Sequence, residues 1–141
     1  AEALGSEYKG KKCGSFGDVT VFAFYPNKQI TTGEGGVILT NNKNIYDLCR
    51  SMANQGRKNL NGKWLEHVRL GYNYRLDEMS CAMGIAQIKR IKEILKKRIR
   101  VAQLYNKKLK GVEGLEISYI KPGNKISWFV YTVKLNKKFN I

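Results

Sequence analysis

Histidine occurs once, proline twice and cysteine three times in this chain of 141 residues, and each scarcity removes a class of function. The lone histidine, His67, cannot build a multi-histidine metal site, so no metal centre is expected. A Ser/His/Asp arrangement would have to use His67, and no GxSxG turn is present to carry its serine, which leaves a structural or surface role for the ring. Cys13, Cys49 and Cys81 are odd in number, widely spaced and form no CxxC pair, so neither a disulfide framework nor a zinc site is expected. A reducing cytoplasm is the expected home. The longest apolar stretch, residues 19–26, falls well short of the roughly 20 residues that a spanning helix needs, and the first residues carry no positive-then-apolar leader. Neither a membrane segment nor a secretion signal is expected.

Acidic side chains are also few: 11 against 26 lysines and arginines, a net charge of +15. The imbalance is uneven. Residues 1–40 hold four basic and four acidic side chains, whereas residues 77–110 hold ten and three. The excess therefore sits on segments with helical periodicity, where lysine-rich faces are also what a solvated surface looks like. With 43% hydrophobic and 11% aromatic residues the chain can bury a core, and its length fits one compact domain. It opens at Ala1 without a start methionine and ends just past a strand-like run, which reads as a piece of a longer protein.

Residues 19–25 are β-branched and aromatic, nearly continuous in apolar character and stopped by Pro26, the pattern of a strand buried on both faces. Gly35 and Gly36 lead into a second short strand over 37–40. Ile45, Leu48, Cys49 and Met52 form the stripe of an amphipathic helix over 43–53. A polar, turn-rich loop is expected between Gly56 and Gly71. Asp77 is a candidate N-cap, followed by Glu78, for a long helix or two helices meeting near Gln87 and ending at Gly111. Ile88, Ile91, Leu95, Ile99, Ala102, Tyr105 and Leu109 supply its apolar stripe. After the break at 122–124, alternation over 127–135 predicts a further strand.

Lys28 stands out among the lysines because it follows the buried strand directly and precedes the glycine cluster 33–36, instead of lying in a polar run. An amine held at the mouth of an apolar element suits imine chemistry, in which a neutral amine attacks a carbonyl. By position alone an ordinary loop lysine is the favoured reading. The cluster Gly33-Glu34-Gly35-Gly36 matches neither GxxxxGK[ST] nor GxGxxG; its backbone could cradle an anion or simply turn. Tyr72, Asn73, Tyr74 and Arg75 suit a phosphate or polar ligand and suit a packed loop as well.

The ordered motifs of residues 14–36, with Gly17-Asp18, Phe22-Ala23-Phe24-Tyr25-Pro26-Asn27-Lys28 and Thr31-Thr32-Gly33-Glu34-Gly35-Gly36, resemble the cofactor-lysine segment of the DegT/StrS-type sugar aminotransferases. The similarity continues through Gly56, the run 70–76, Ala82 to Gln87, Arg98 and Tyr105, covering nearly the whole chain. It implies an α/β fragment of the fold type I pyridoxal-phosphate architecture: the end of a large-domain, mainly parallel sheet, a long connecting helix and the start of a small C-terminal domain. The corresponding boundaries are 1–110 and 111–141.

The resemblance implies transfer of an amino group, from glutamate as donor, to a keto-sugar linked to a nucleotide, in a homodimer with shared active sites. It makes Lys28 the residue that binds pyridoxal 5'-phosphate covalently and shuttles the proton. It puts Glu2 near the cofactor ring and its hydroxyl, and Asn73 on the cofactor phosphate of the neighbouring subunit. Two departures accompany it. Ala23 replaces the family's usual serine, removing one hydroxyl from the phosphate, and the aspartate that pairs with the ring nitrogen would fall two positions before Ala1. Lys28 also separates the chain from relatives that use histidine there and dehydrate their substrates. The basic loop from Arg57 to Lys63 is a candidate for attracting a diphosphate. Two other readings stand beside this one: a nucleic-acid-binding module using the basic helix 89–110, and an inactive interaction domain on the same fold, suggested by Ala23.

Overall fold

The computed structural model describes residues 1–58 and 66–136. Strand β3 (Thr20–Ala23), the heart of the apolar run, pairs antiparallel with β4 (Gly36–Leu39) in the register Thr20 to Leu39 and Ala23 to Gly36. Phe22 is buried, but Val19, Val21 and Ile38 are about half exposed, so the strand is covered on one face only and the expectation of two buried faces is corrected. An apolar run signals a strand that packs on both sides, and the described residues supply a cover for one. Two short strands, β1 (Glu7–Tyr8) and β2 (Lys11–Lys12), precede it and were not expected from their polar sequence. Every strand pair among the described residues is antiparallel, so the mainly parallel sheet is not contained in them.

Helix α1 (Lys43–Ala53) occupies the span its periodicity predicts. Asn42 caps it, its side-chain oxygen accepting from the N–H groups of Asn44 at 2.9 Å and Ile45 at 3.3 Å. At its other end the carbonyls of Met52 and Ala53 accept from the N–H groups of Tyr72 and Tyr74, at 2.7 and 2.9 Å. A helix terminus that would otherwise leave carbonyls unpaired thus becomes the shelf on which the segment carrying Asn73 lies. Gly56 and Gly71 meet back to back where this segment passes under α1, and a β-carbon on either would overlap the other strand's backbone. The expected loop between them begins and ends as a pairing, with the isolated bridges Asn54 to Asn73 and Arg57 to His67; residues 59–65 lie outside the described ones.

Asp77 caps α2 (Glu78–Lys89) as expected: its carboxylate accepts from the Ser80 N–H at 2.9 Å, which holds its pKa below the usual aspartate value. The helical stretch is two helices, and they meet at Arg90, three residues beyond Gln87, before α3 (Ile91–Leu109). The inward stripe of α3 runs through Ile91, Leu95, Arg98, Ala102 and Asn106, with Ala102 fully buried. Tyr105 and Ile99, placed on that stripe by hydrophobicity, are 48% and 38% exposed and flank it, and a charged residue sits on it instead.

The predicted strand over 127–135 shrinks to β7 (Val133–Leu135), which pairs with β5 (Leu115–Ile117); β6 (Asn124–Lys125) lies where a break was expected and joins β1. Residues 127–131 leave the strand conformation because their groups are engaged elsewhere. Ser127 is buried in hydrogen bonds to Ser6, and Trp128 adopts a left-handed φ of 50°.

Glu7 clasps the three-stranded sheet β2-β1-β6, since its side chain, 13% exposed, accepts from Lys12 and pairs with Lys125 at 2.7 Å. The hydrogen bond from Lys12, then that from Lys125, draws its carboxyl from the ordinary 4.5 down to about 2. A carboxyl depressed on folding stabilises above its unfolded pKa, and that contribution is lost as pH falls through the folded value. Glu7→Gln in the full-length protein is therefore expected to lower the melting temperature at neutral pH, the gap to wild type closing as pH falls from 4.5 toward 2. Thermal unfolding followed by circular dichroism reads this; a gap independent of pH contradicts it.

Candidate active site

The turn after β3 presents Lys28 by a short ladder of backbone and threonine hydrogen bonds. The Lys28 N–H donates to the Tyr25 carbonyl at 3.0 Å, and the Phe24 carbonyl accepts from both the Thr32 N–H and the Thr31 hydroxyl, each at 3.0 Å. Gly35 is needed where it stands: its φ is 147°, and a β-carbon there would press on the Thr32 hydroxyl and on Leu76. Gln29, Ile30 and Thr32 are all buried, so the loop is a fixed mount rather than a free tip.

The side chain of Lys28 is 12% exposed, whereas the other ion-paired lysines range from 61% to 81%. Its Nζ donates to Glu2 Oε1 at 2.7 Å and lies 3.9 Å from the centroid of the Phe129 ring. One buried side chain organises both neighbours. The amide nitrogen of Gln29 donates to the Glu2 carbonyl and to the Ser127 hydroxyl, the latter at 2.8 Å, and so binds the N-terminal segment and the 127–129 segment to the lysine loop. A cavity of about 490 Å³ opens beside the loop, lined by Lys28, Thr31, Gln87, Arg90 and Arg98 among others.

Of the residues singled out from sequence, Lys28 and Glu2 come together. Asn73 does not join them; it is exposed at the end of α1, and its sequence neighbours Tyr72 and Tyr74 stack on each other with ring centroids 5.0 Å apart. Lys58, at the described end of the basic loop, pairs with Glu66 at 3.2 Å, and residues 59–63 of that loop lie outside the described ones. His67 is exposed, its Nδ1 2.8 Å from the Gln55 carbonyl oxygen. Gln29, Ser127, Phe129 and Arg98 were not picked out as site residues. The one available signal was Arg98, a charge inserted among the apolar positions of α3.

The donor set suits an aldehyde-bearing cofactor: an amine withdrawn from bulk water, a carboxylate able to take its hydrogen bond, and an aromatic ring that covers it. Among the described residues no cluster of histidine, cysteine or carboxylate side chains could hold a metal ion, and no helix is long and apolar enough to cross a membrane.

The sequence profile of the DegT/DnrJ/EryC1/StrS aminotransferase family matches residues 1–140. The chain belongs to that family. It is 39% identical over 142 residues to the UDP-4-amino-4,6-dideoxy-N-acetyl-beta-L-altrosamine transaminase of Campylobacter jejuni, covering 99% of this chain and 37% of that enzyme. Its fold superimposes on Helicobacter pylori PseC, an aminotransferase of pseudoaminic acid biosynthesis, with a TM-score of 0.90 at 31% identity, over 99% of this chain and 38% of that one. The Escherichia coli GDP-4-keto-6-deoxy-D-mannose-3-dehydratase, solved with hydrated pyridoxal phosphate bound, matches with a TM-score of 0.87 at 26% identity over 99% of this chain and 39% of that one. The chain thus spans under two fifths of the length of each of these relatives. It is the α/β, lysine-bearing portion of a fold type I sugar aminotransferase architecture, from a family whose aminotransferases depend on pyridoxal 5'-phosphate.

Proposed function

We propose that this chain forms part of an aminotransferase that moves an amino group from glutamate to a nucleotide-linked keto-sugar in the reducing cytoplasm, as a homodimer with shared active sites. Residues 1–110 complete the cofactor-binding large domain and 111–141 open the small one. The observation that carries the reading is the Lys28 amine, nearly buried, 2.7 Å from the Glu2 carboxylate and covered by Phe129.

Lys28 would hold pyridoxal 5'-phosphate covalently, Glu2 would stand by its ring and hydroxyl, and Asn73 of the neighbouring protomer would reach its phosphate. When bound, the cofactor supplies an aldehyde for imine formation and an electron sink for the carbanion left by deprotonation. Lys28 Nζ would be the base for the proton on the donor's α-carbon and would hand it on. Glu2 would keep the amine within reach by accepting its hydrogen bond, and the Phe129 ring would keep bulk water from it. With Ala23 in place of a serine, the phosphate is held by one hydroxyl fewer.

Relatives are named for UDP- and GDP-linked sugars, which defines the assay. Full-length protein supplied with pyridoxal 5'-phosphate and glutamate labelled with ¹⁵N in its amino group is expected to place the label on a UDP- or GDP-linked 4-keto-sugar, read by mass spectrometry. Retention of all label in glutamate with every such acceptor contradicts the reading.

A further inference from the structure

Arg98 lies on the inward stripe of α3, far along the chain from both segments it touches. Its Nη2 donates to the carbonyls of Lys28 at 2.7 Å and Asn27 at 3.2 Å, and its Nη1 to those of Trp128 at 3.1 Å and Phe129 at 3.2 Å. One planar guanidinium thus accounts for backbone acceptors on two loops, a geometry that a compact ammonium cannot reproduce. These are the loop that carries the amine and the loop that carries the ring covering it.

The second loop is also held under strain. Trp128 has a φ of 50°, a state that residues other than glycine rarely adopt and that persists where surrounding contacts over-determine it. Those contacts lead back to α3. The Trp128 ring stacks on Tyr131 at 5.3 Å, Tyr131 stacks on Tyr105 at 4.8 Å, and the Tyr131 hydroxyl donates to Asn106 Oδ1 at 2.6 Å. The helix therefore grips the 127–131 arch along one side, and Arg98 is the member of that grip which also holds the lysine loop.

We infer that Arg98 is a positioning residue for Lys28: it fixes the backbone of the lysine loop relative to the Phe129 arch, and so sets where the amine is delivered. This rests on the proposed role of Lys28. Misplacing a reacting group by about 1 Å can lower turnover by up to about 100-fold, so loosening this clamp acts on turnover more than on substrate binding.

The test uses the full-length holoenzyme with Arg98→Lys, which keeps charge and stem, and Arg98→Met, which keeps only the stem. Both are expected to lower kcat about tenfold or more, to leave KM for the nucleotide sugar within about twofold, and to weaken the visible circular dichroism of the bound cofactor. In both, borohydride still fixes the cofactor on Lys28. If wild-type protein shows no such fixation at Lys28, the role of the lysine fails and with it the basis for the clamp. If fixation is normal but Arg98→Lys retains wild-type kcat and circular dichroism, the clamp alone is overturned, even where Arg98→Met fails to fold. Failure of both variants to fold also overturns it, assigning Arg98 to the stability of the fold alone.

Discussion

Lys28→Ala in the full-length enzyme is expected to lower turnover at least about 1000-fold, with the fold intact. The magnitude follows from losing two functions at one atom, the covalent hold on the cofactor and the proton transfer at the substrate carbon. Among the described residues, the lysines in ion pairs elsewhere are 61% or more exposed and so are not withdrawn from water as Lys28 is. The fold is expected to survive because the loop is held by Gln29, Thr31, Thr32 and the Arg98 guanidinium, while the Lys28 amine contributes one ion pair to a half-exposed glutamate. Steady-state turnover and melting temperature, measured together, check this. A variant that retains more than about a tenth of wild-type turnover removes Lys28 from the chemistry.

Gly71→Ala is expected to be strongly destabilising. Its β-carbon would meet the Gly56 nitrogen, the Gln55 carbonyl carbon at 2.7 Å and the Gly56 Cα at 2.8 Å, all of them backbone atoms that cannot swing aside. Overpacking of this kind costs about 3 kcal/mol or more. The consequence extends beyond stability, because Gly71 leads into the segment whose Tyr72 and Tyr74 N–H groups dock on the end of α1 and which carries Asn73. A displaced segment withdraws Asn73 from its proposed place on the neighbouring subunit's cofactor, so cofactor retention on dialysis should fall along with the melting temperature. Gly111→Ala is the control: its φ of 81° is strained, but its β-carbon meets open space, and it should cost only about 1 to 2 kcal/mol with cofactor retention unchanged. Equal melting temperatures for the two variants would contradict the packing argument.

Local signals carried the parts of the fold that are decided locally. Helix α1 and the Asp77 cap are legible because a cap residue and a 3.6-residue stripe are properties of neighbouring positions. Strand β7 was overextended for the opposite reason. Alternation over 127–135 meets the pattern of a strand, yet Ser127 is taken by Ser6 and Gln29, and the Trp128 and Phe129 carbonyls by Arg98, partners between 30 and 121 residues away. Hydrophobicity likewise put Tyr105 on the inward face of α3, where Arg98 and Asn106 turn out to point, because their acceptors are backbone carbonyls and a tyrosine hydroxyl on distant loops.

The site divides in the same way. Lys28 was singled out by its apolar flank and glycine-rich sequel, but its proposed role, like that of Glu2, comes from the family resemblance. That they stand 2.7 Å apart depends on Gln29 joining the Glu2 carbonyl to Ser127, a link with no signature in sequence. Phe129 is silent in sequence for the same reason: a phenylalanine near an amine is recognisable only once the arch is folded over it.

The most direct measurement is chemical fixation of the cofactor. Full-length protein is incubated with pyridoxal 5'-phosphate, reduced with borohydride, digested and mapped by mass spectrometry. A phosphopyridoxyl group on Lys28, absent from the Lys28→Ala variant, is the expected result; its appearance on any other lysine, or on none, contradicts the account.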